Sequence, residues 1–274
     1  MPAALRLQGI TLPVPDLAAA ERFYRWVLAM KEAAEESNPG EAALGWGKED
    51  RVRLVDASAI PGAREAISLR MEAIDPTAMA RWLAERDLRP GRIVAFERDA
   101  EEMHGIWPDA EVAADPDPAD SNRYVLSLDS PADVRVDLHV PLPSADVVSR
   151  GRHGPFYRRT KDWRGLENPG ILGVTIGAAD PAALGDFLAA LEIRRMADSS
   201  DPDAPLLAGD HQLRIERREP PGIYGAAFVV AASRLPDLVR TLERFGVQHR
   251  LDRNHLLAVD PAGRILAVNG VRSG

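Results

Sequence analysis

The stretch that most constrains this chain is residues 7–24, LQGITLPVPDLAAAERFY, because its hydrophobic period changes halfway along. Ile10, Leu12 and Val14 alternate with Gly9, Thr11 and Pro13. Period two sends successive side chains to opposite faces, so this half reads as a strand with one apolar face. Asp16 follows as a candidate N-cap, able to accept hydrogen bonds from the orphan N–H groups of a helix start. Leu17, Ala20, Phe23, Tyr24, Val27 and Leu28 then recur at helical spacing. The apolar strand face is expected to pack on that helix. The other face, with Gly9 and Thr11, looks elsewhere.

The same reading returns at residues 172–188, LGVTIGAADPAALGDFL. There Leu172, Val174 and Ile176 form the expected packed face, and Gly173 and Thr175 the free one. Two weaker copies start at Ala66, where Asp75-Pro76 opens the helix, and at Ile223, whose helix runs from Leu235 to Phe245. After each helix come three short strand-like runs bounded by turn residues: KEAAEE, ALGWGKE and RVRLVDA in the first copy, RIVAFE, RYVLSLD and VRVDLHV in the second. The third copy ends in strands near IRRMADS, PLLAG and QLRIERR, the fourth in VQHRLDR, HLLAVD and RILAVNG. Four β-α-β-β-β units in two pairs predict an α+β fold, and such self-similarity outranks any single local reading. The expected division is 1–142, a linker at 143–168, and 169–274. Residues 99–122, acidic and Pro-rich, read as a long surface loop placed to act as a partial lid. Residues 141–169 mix Arg150, Arg152, His153, Arg158, Arg159, Lys161 and Arg164 with Phe156, Tyr157 and Trp163. They read as an inter-domain linker with docking aromatics, or as an anion clamp.

Composition narrows the function classes. A net charge of −8 argues against a general nucleic-acid surface, which needs a basic footprint. The absence of cysteine excludes disulfides, thiolate metal sites and Cys nucleophiles. No apolar run reaches the roughly 18 residues of a spanning helix, and no signal-like N-terminus is evident. The expectation is a cytoplasmic protein with a small-molecule ligand, no membrane and no nucleic acid, and with a homodimer left open.

The four units, with Val14-Pro15-Asp16-Leu17 leading to Phe23-Tyr24 and Asp260-Pro261-Ala262-Gly263-Arg264 before the last strand, resemble the vicinal oxygen chelate superfamily. That superfamily includes glyoxalase I, bleomycin-resistance proteins and two-domain extradiol dioxygenases. The resemblance implies two cupped sheets, helices outside, and a ligand site inside the cup. It also implies a divalent metal held by His from first strands and Glu from last strands. Here those first-strand positions would be Gly9, Ser68, Gly173 and Gly225, and the last-strand ones about Arg53, Asp137, Glu216 and Ala267. Glycine and alanine cannot replace a His₂-carboxylate set, so no cofactor is expected; a divalent metal is the alternative.

Period-two reading gives the free faces. In the first cup they are Gly9, Thr11, Arg53, Ser68, Arg70, Glu72, Asp137 and His139. In the second they are Gly173, Thr175, Arg214, Glu216, Gly225, Ala227, Ala267 and Asn269. Thr11, Arg53, Arg70, Asp137, His139, Thr175, Arg214 and Glu216 are the candidate ligand-binding residues. Asp137 and His139 share a face, so His139 is a candidate base oriented by Asp137, or the pair a metal half-site, against ion pairs from Asp137 to Arg53 or Arg70. Missing side chains at Gly9, Gly173 and Gly225 would leave room for a flat apolar group on the cup floor.

Three functional readings stand. One is a metal-independent protein binding a small organic, aromatic-type molecule, by sequestration or as an unspecified enzyme. The second is a dioxygenase or glyoxalase-type enzyme with displaced ligands; an enzyme here would be a lyase or isomerase or a ring-cleaving relative. The third is a scaffold with filled cups that binds a protein partner.

Overall fold

A computed structural model describes residues 5–32, 39–45, 51–72, 74–115, 123–142, 170–195, 205–209 and 211–271. The first unit contributes β1 (Arg6–Val14), α1 (Leu17–Arg22), β2 (Lys31–Glu32), β3 (Glu41–Gly45) and β4 (Arg51–Asp56). The second adds β5 (Ala66–Arg70), α2 (Pro76–Ala84), β6 (Arg92–Phe96), α3 (Ala100–Ile106), β7 (Glu111–Asp115), β8 (Arg123–Asp129) and β9 (Arg135–Pro141). The third holds β10 (Gly170–Ala178), α4 (Pro181–Ala190), β11 (Arg194–Arg195), β12 (Leu206–Ala208) and β13 (His211–Arg217). The fourth holds β14 (Gly222–Ala231), α5 (Leu235–Arg244), β15 (His249–Asp252), β16 (His255–Val259) and β17 (Ile265–Val271).

Two mixed sheets result, ordered β2-β3-β4-β1-β5-β9-β8-β6-β7 and β11-β12-β13-β10-β14-β17-β16-β15. In every unit the first strand runs parallel to the last: β1 with β4, β5 with β9, β10 with β13, β14 with β17. The two first strands of each half meet antiparallel at the sheet centre. The four units therefore pair into two mixed sheets, as the periodicity predicts, with α3 and β7 inserted into the second unit.

The helix starts follow from their caps. The Asp16 carboxylate accepts from Ala19 N–H at 2.9 Å, and Asp75 and Asp180 each accept from two N–H groups of α2 and α4. After α1 the backbone widens into a π turn over Phe23–Val27, which buries Phe23, Tyr24 and Val27 but leaves Trp26 exposed. The helix-side faces form the core: Ile10, Leu12, Val14, Ile67 and Leu69 in the first sheet, Val174, Ile176, Phe228 and Val268 in the second, all 2 % exposed or less. Each such side chain contributes roughly 1.5–3 kcal/mol by leaving water.

Two expectations are corrected here. In β10 the register shifts between Ile171 and Gly173, so Leu172 is the bulged residue and half-exposed. Ile171, not Leu172, joins Val174 and Ile176 in the core. β1 carries the matching bulge at Gln8, which aligns Leu7 with Ile10. Residues 99–115 are not a loop. They form α3 and the edge strand β7, which runs parallel to β6, with Met103, Trp107 and Ala110 buried beneath them. Residues 116–122 and the expected linker 143–168 lie outside the described residues. Among the described residues no helix is long and apolar enough to cross a membrane.

Candidate functional site

The faces turned away from the helices are the two candidate sites, and they differ in chemistry. In the first bowl, parallel register sets Thr11 beside Arg53, Ser68 beside Asp137, and Arg70 beside His139. Asp137 is buried, and both its oxygens are committed. Arg135, two residues earlier on the same strand, binds it bidentately at 2.9 and 3.0 Å, and the Ser127 hydroxyl donates at 2.7 Å. Asp137 therefore pairs with Arg135, not with Arg53 or Arg70, and none of its hydrogen bonds orients His139. Arg53 instead lies 3.4 Å from Glu41.

His139 stands apart. Its Nδ1 is shielded from solvent and has no hydrogen-bond partner among the described residues. Burial, followed by the charges of Arg123, Arg53 and Arg70, pushes its pKa down to about 3. The ring is thus neutral at pH 7, with one N–H to donate.

The second bowl is apolar and open. Ala227, Val229, Leu257, Val259 and Ala267 are half-buried on this face, and Ile265 is 53 % exposed. Thr175 is half-buried beside its register partner Arg214, which is exposed. Glu216 does not pair with Arg214. It accepts two hydrogen bonds from Arg218, at 3.0 and 3.2 Å, and its register partner is Gly177 rather than Gly173. His255 Nδ1 and Asn269 Oδ1 lie 2.5 Å apart at the far edge.

The glycines have a different use from the expected one. A Cβ at Gly9 would lie 2.7 Å from the Arg51 carbonyl oxygen, and one at Gly225 would lie 2.5 Å from that of Ile265. At Gly173 the Gln212 carbonyl is closer still. Each carbonyl belongs to the register partner on the parallel last strand. The position a side chain would take is filled by backbone, so glycine is needed there for strand packing rather than to open a floor.

The same crowding bears on the divalent metal that the superfamily resemblance implies. An imidazole at Gly173 or Gly225 would need the neighbouring strand to move, and Ala267 offers no donor. Among the described residues no group of three or more His, Asp or Glu is placed to hold a metal ion. The donor set at these positions does not fit the implied cation.

The fold itself matches known proteins over its whole length. A catechol 2,3-dioxygenase structure superposes with a TM-score of 0.65, 14% identity, and coverage of 99% of this chain and 89% of that one. A homoprotocatechuate 2,3-dioxygenase from Arthrobacter globiformis gives 0.62, 12%, 98% and 80%. The halotolerant catechol dioxygenase BphC gives 0.60, 13%, 99% and 87%. No protein-family model matches the chain, and no curated protein matches it by sequence. The chain shares the fold of these dioxygenase structures.

Proposed function

We propose that this chain is a metal-independent variant of the extradiol dioxygenase fold that binds a small aromatic acid in its second bowl. One observation carries the reading: a half-exposed apolar floor, Ala227, Val229, Leu257, Val259, Ile265 and Ala267, ends at an exposed arginine, Arg214. On the reverse of the same strands Phe228, Leu256 and Val268 are fully buried, so the floor is not spare core. Apolar floors with a few polar groups at the rim are the usual form of small-molecule sites. The guanidinium of Arg214 matches a carboxylate in geometry, and the Thr175 hydroxyl beside it supplies a further donor. The similar structures are dioxygenases of catechol and homoprotocatechuate, both aromatic, which supports the ligand class. The carbonyl-crowded glycines and donor-poor positions support a metal-independent mode.

The test is elemental analysis of the purified chain beside calorimetric titration with benzoate and with catechol. The expected result is metal far below one equivalent and benzoate binding weakened about tenfold by Arg214→Ala. One equivalent of iron, manganese, nickel or zinc, lost in Asp137→Ala, would overturn the proposal in favour of an enzyme with displaced ligands.

A further inference from the structure

The second sheet ends in an open edge. β15 is its last strand, and among the described residues no strand lies on its outer side. A two-residue turn, Arg253-Asn254, joins it to β16 and sets Asp252 opposite His255. Such a hairpin makes that pair the hydrogen-bonded one, and the alternation of the ladder then turns the N–H and C=O groups of His249 and Leu251 outward. Arg250, Leu251 and Asp252 are all exposed. Leu251 stands on the helix side of the sheet, where its register partner Leu256 is fully buried. On that side α5 packs against β15, and its C-cap residue Phe245 is a second large exposed apolar side chain.

The charges of this strand are self-complementary. When two copies of β15 pair antiparallel about a two-fold axis through Leu251, that residue faces its own copy, and Arg250 faces the partner's Asp252 on both sides of the axis. Opposite charges at facing positions stabilise a strand pair, and like charges destabilise it. An axis through Arg250 would set that residue against itself, so charge selects the register. The other edges do not offer this. β2 and β11 are two residues long, and β7, EVAAD, is acidic at both ends, so the same operation opposes like charges.

We propose that two copies of this chain associate through β15, as an antiparallel dimer in which the second sheet of one copy continues into that of the other. The outward backbone groups of Leu251 pair across the axis, which closes the exposed edge. Two Arg250–Asp252 pairs fix the register, and Leu251 and Phe245 supply the apolar surface. A strand of four residues makes a small interface, so the dissociation constant is expected at roughly 10–100 μM. The edge lies across the sheet from Arg214, and the dimer stands or falls independently of the ligand proposed above.

The experiment is sedimentation of the full chain over about 5 to 500 μM, comparing the parent with Arg250→Asp and with the double variant Arg250→Asp/Asp252→Arg. The parent passes from monomer to dimer over this range. Arg250→Asp opposes two acids on each side of the axis and weakens the association about tenfold. The double variant restores it, because exchanging the two charges leaves every facing pair opposite in sign. A contact elsewhere, or a fold damaged by the first substitution, gives no such rescue. A parent that stays monomeric throughout overturns the proposal and needs no variant to fold. So does a dimer that Arg250→Asp leaves unchanged, or one that it weakens and the double variant does not restore.

Discussion

Tyr24 and Asp260, 236 positions apart, meet in a buried hydrogen bond of 3.0 Å, with the phenol donating to Asp260 Oδ2. Tyr24 follows the first helix of the chain, and Asp260 opens the turn before the last strand. The other oxygen of Asp260 accepts from the N–H groups of Ala262 and Arg264 at 2.9 and 2.8 Å, which fixes the turn. Arg264 leaves that turn to reach Glu65 at 2.7 Å and the Pro13 carbonyl at 3.1 Å. The second oxygen of Glu65 accepts from Ile223 N–H at the start of β14. The two sheets are thus joined by a polar chain running through the two motifs that carry the superfamily resemblance.

Tyr24→Phe removes a hydrogen bond to a buried carboxylate and leaves Oδ2, among the described residues, with the Arg264 guanidinium at 3.6 Å. Bonds to charged groups contribute about 1.5–3 kcal/mol, so a loss of about 2 kcal/mol is expected in urea or guanidinium unfolding. Burial, and then the Asp260 charge, raise the Tyr24 pKa well above its ordinary value. Alkaline titration at 295 nm should therefore show no tyrosinate from this residue before the protein unfolds. An unchanged unfolding midpoint in the variant would remove this bond from the account.

Arg264 and Glu65 are largely covered, at 11 and 20 % side-chain exposure. Removing one partner of a shielded pair leaves the other charge uncompensated, at about 3–5 kcal/mol for full burial and somewhat less here. Arg264→Met and Glu65→Gln should each destabilise by about 2–4 kcal/mol, and the double variant by clearly less than their sum. Additive effects in that cycle would show that the two side chains do not act together.

Gly225→Ala and Gly185→Ala form a matched pair. At Gly225 a methyl group meets the Ile265 carbonyl oxygen, whereas at Gly185, inside α4, it meets nothing within 4 Å. The first substitution forces two parallel strands apart and should cost about 1–3 kcal/mol, as overpacking does. The second only reduces the freedom of the unfolded chain and the helix cost of glycine, and should stabilise by about 0.5–1 kcal/mol. Thermal unfolding should move in opposite directions, and a neutral Gly225→Ala would show that the carbonyl readily gives way.

The strand-to-helix switch at Asp16 and its copy at Asp180 made the fold legible, because period and cap chemistry are local properties. What escaped was register. Leu172 breaks period two through a bulge that no single strand reveals, and the carbonyls opposite Gly9, Gly173 and Gly225 come from distant residues. α3 was hidden by its acidic surface, although Met103 and Ile106, three apart, face the core, and Trp107 and Ala110 are buried just after it. For the site, period two holds between neighbours in register, as at Thr11 with Arg53 and Arg70 with His139. It does not choose partners: Asp137 pairs with Arg135 and Glu216 with Arg218, each a cation two residues away along the chain.

His139 makes the pH dependence of stability testable. Its ring pKa is about 3 in the folded protein and about 6.5 when unfolded, so the unfolded chain binds the extra proton. The folded pKa is the lower one. The neutral ring's contribution is therefore fully present above pH 6.5 and is lost as pH falls from there towards 3, at up to about 1.4 kcal/mol per unit. His139→Gln cannot titrate and removes this slope, while the carboxylates common to both proteins cancel in the difference. Urea unfolding from about pH 7.5 to 5, in buffers free of phosphate and carboxylate, should show the parent losing stability relative to the variant only below pH 6.5. Parallel curves through that window would mean that the imidazole takes up its proton without penalty, and that neither its burial nor its three arginine neighbours control it.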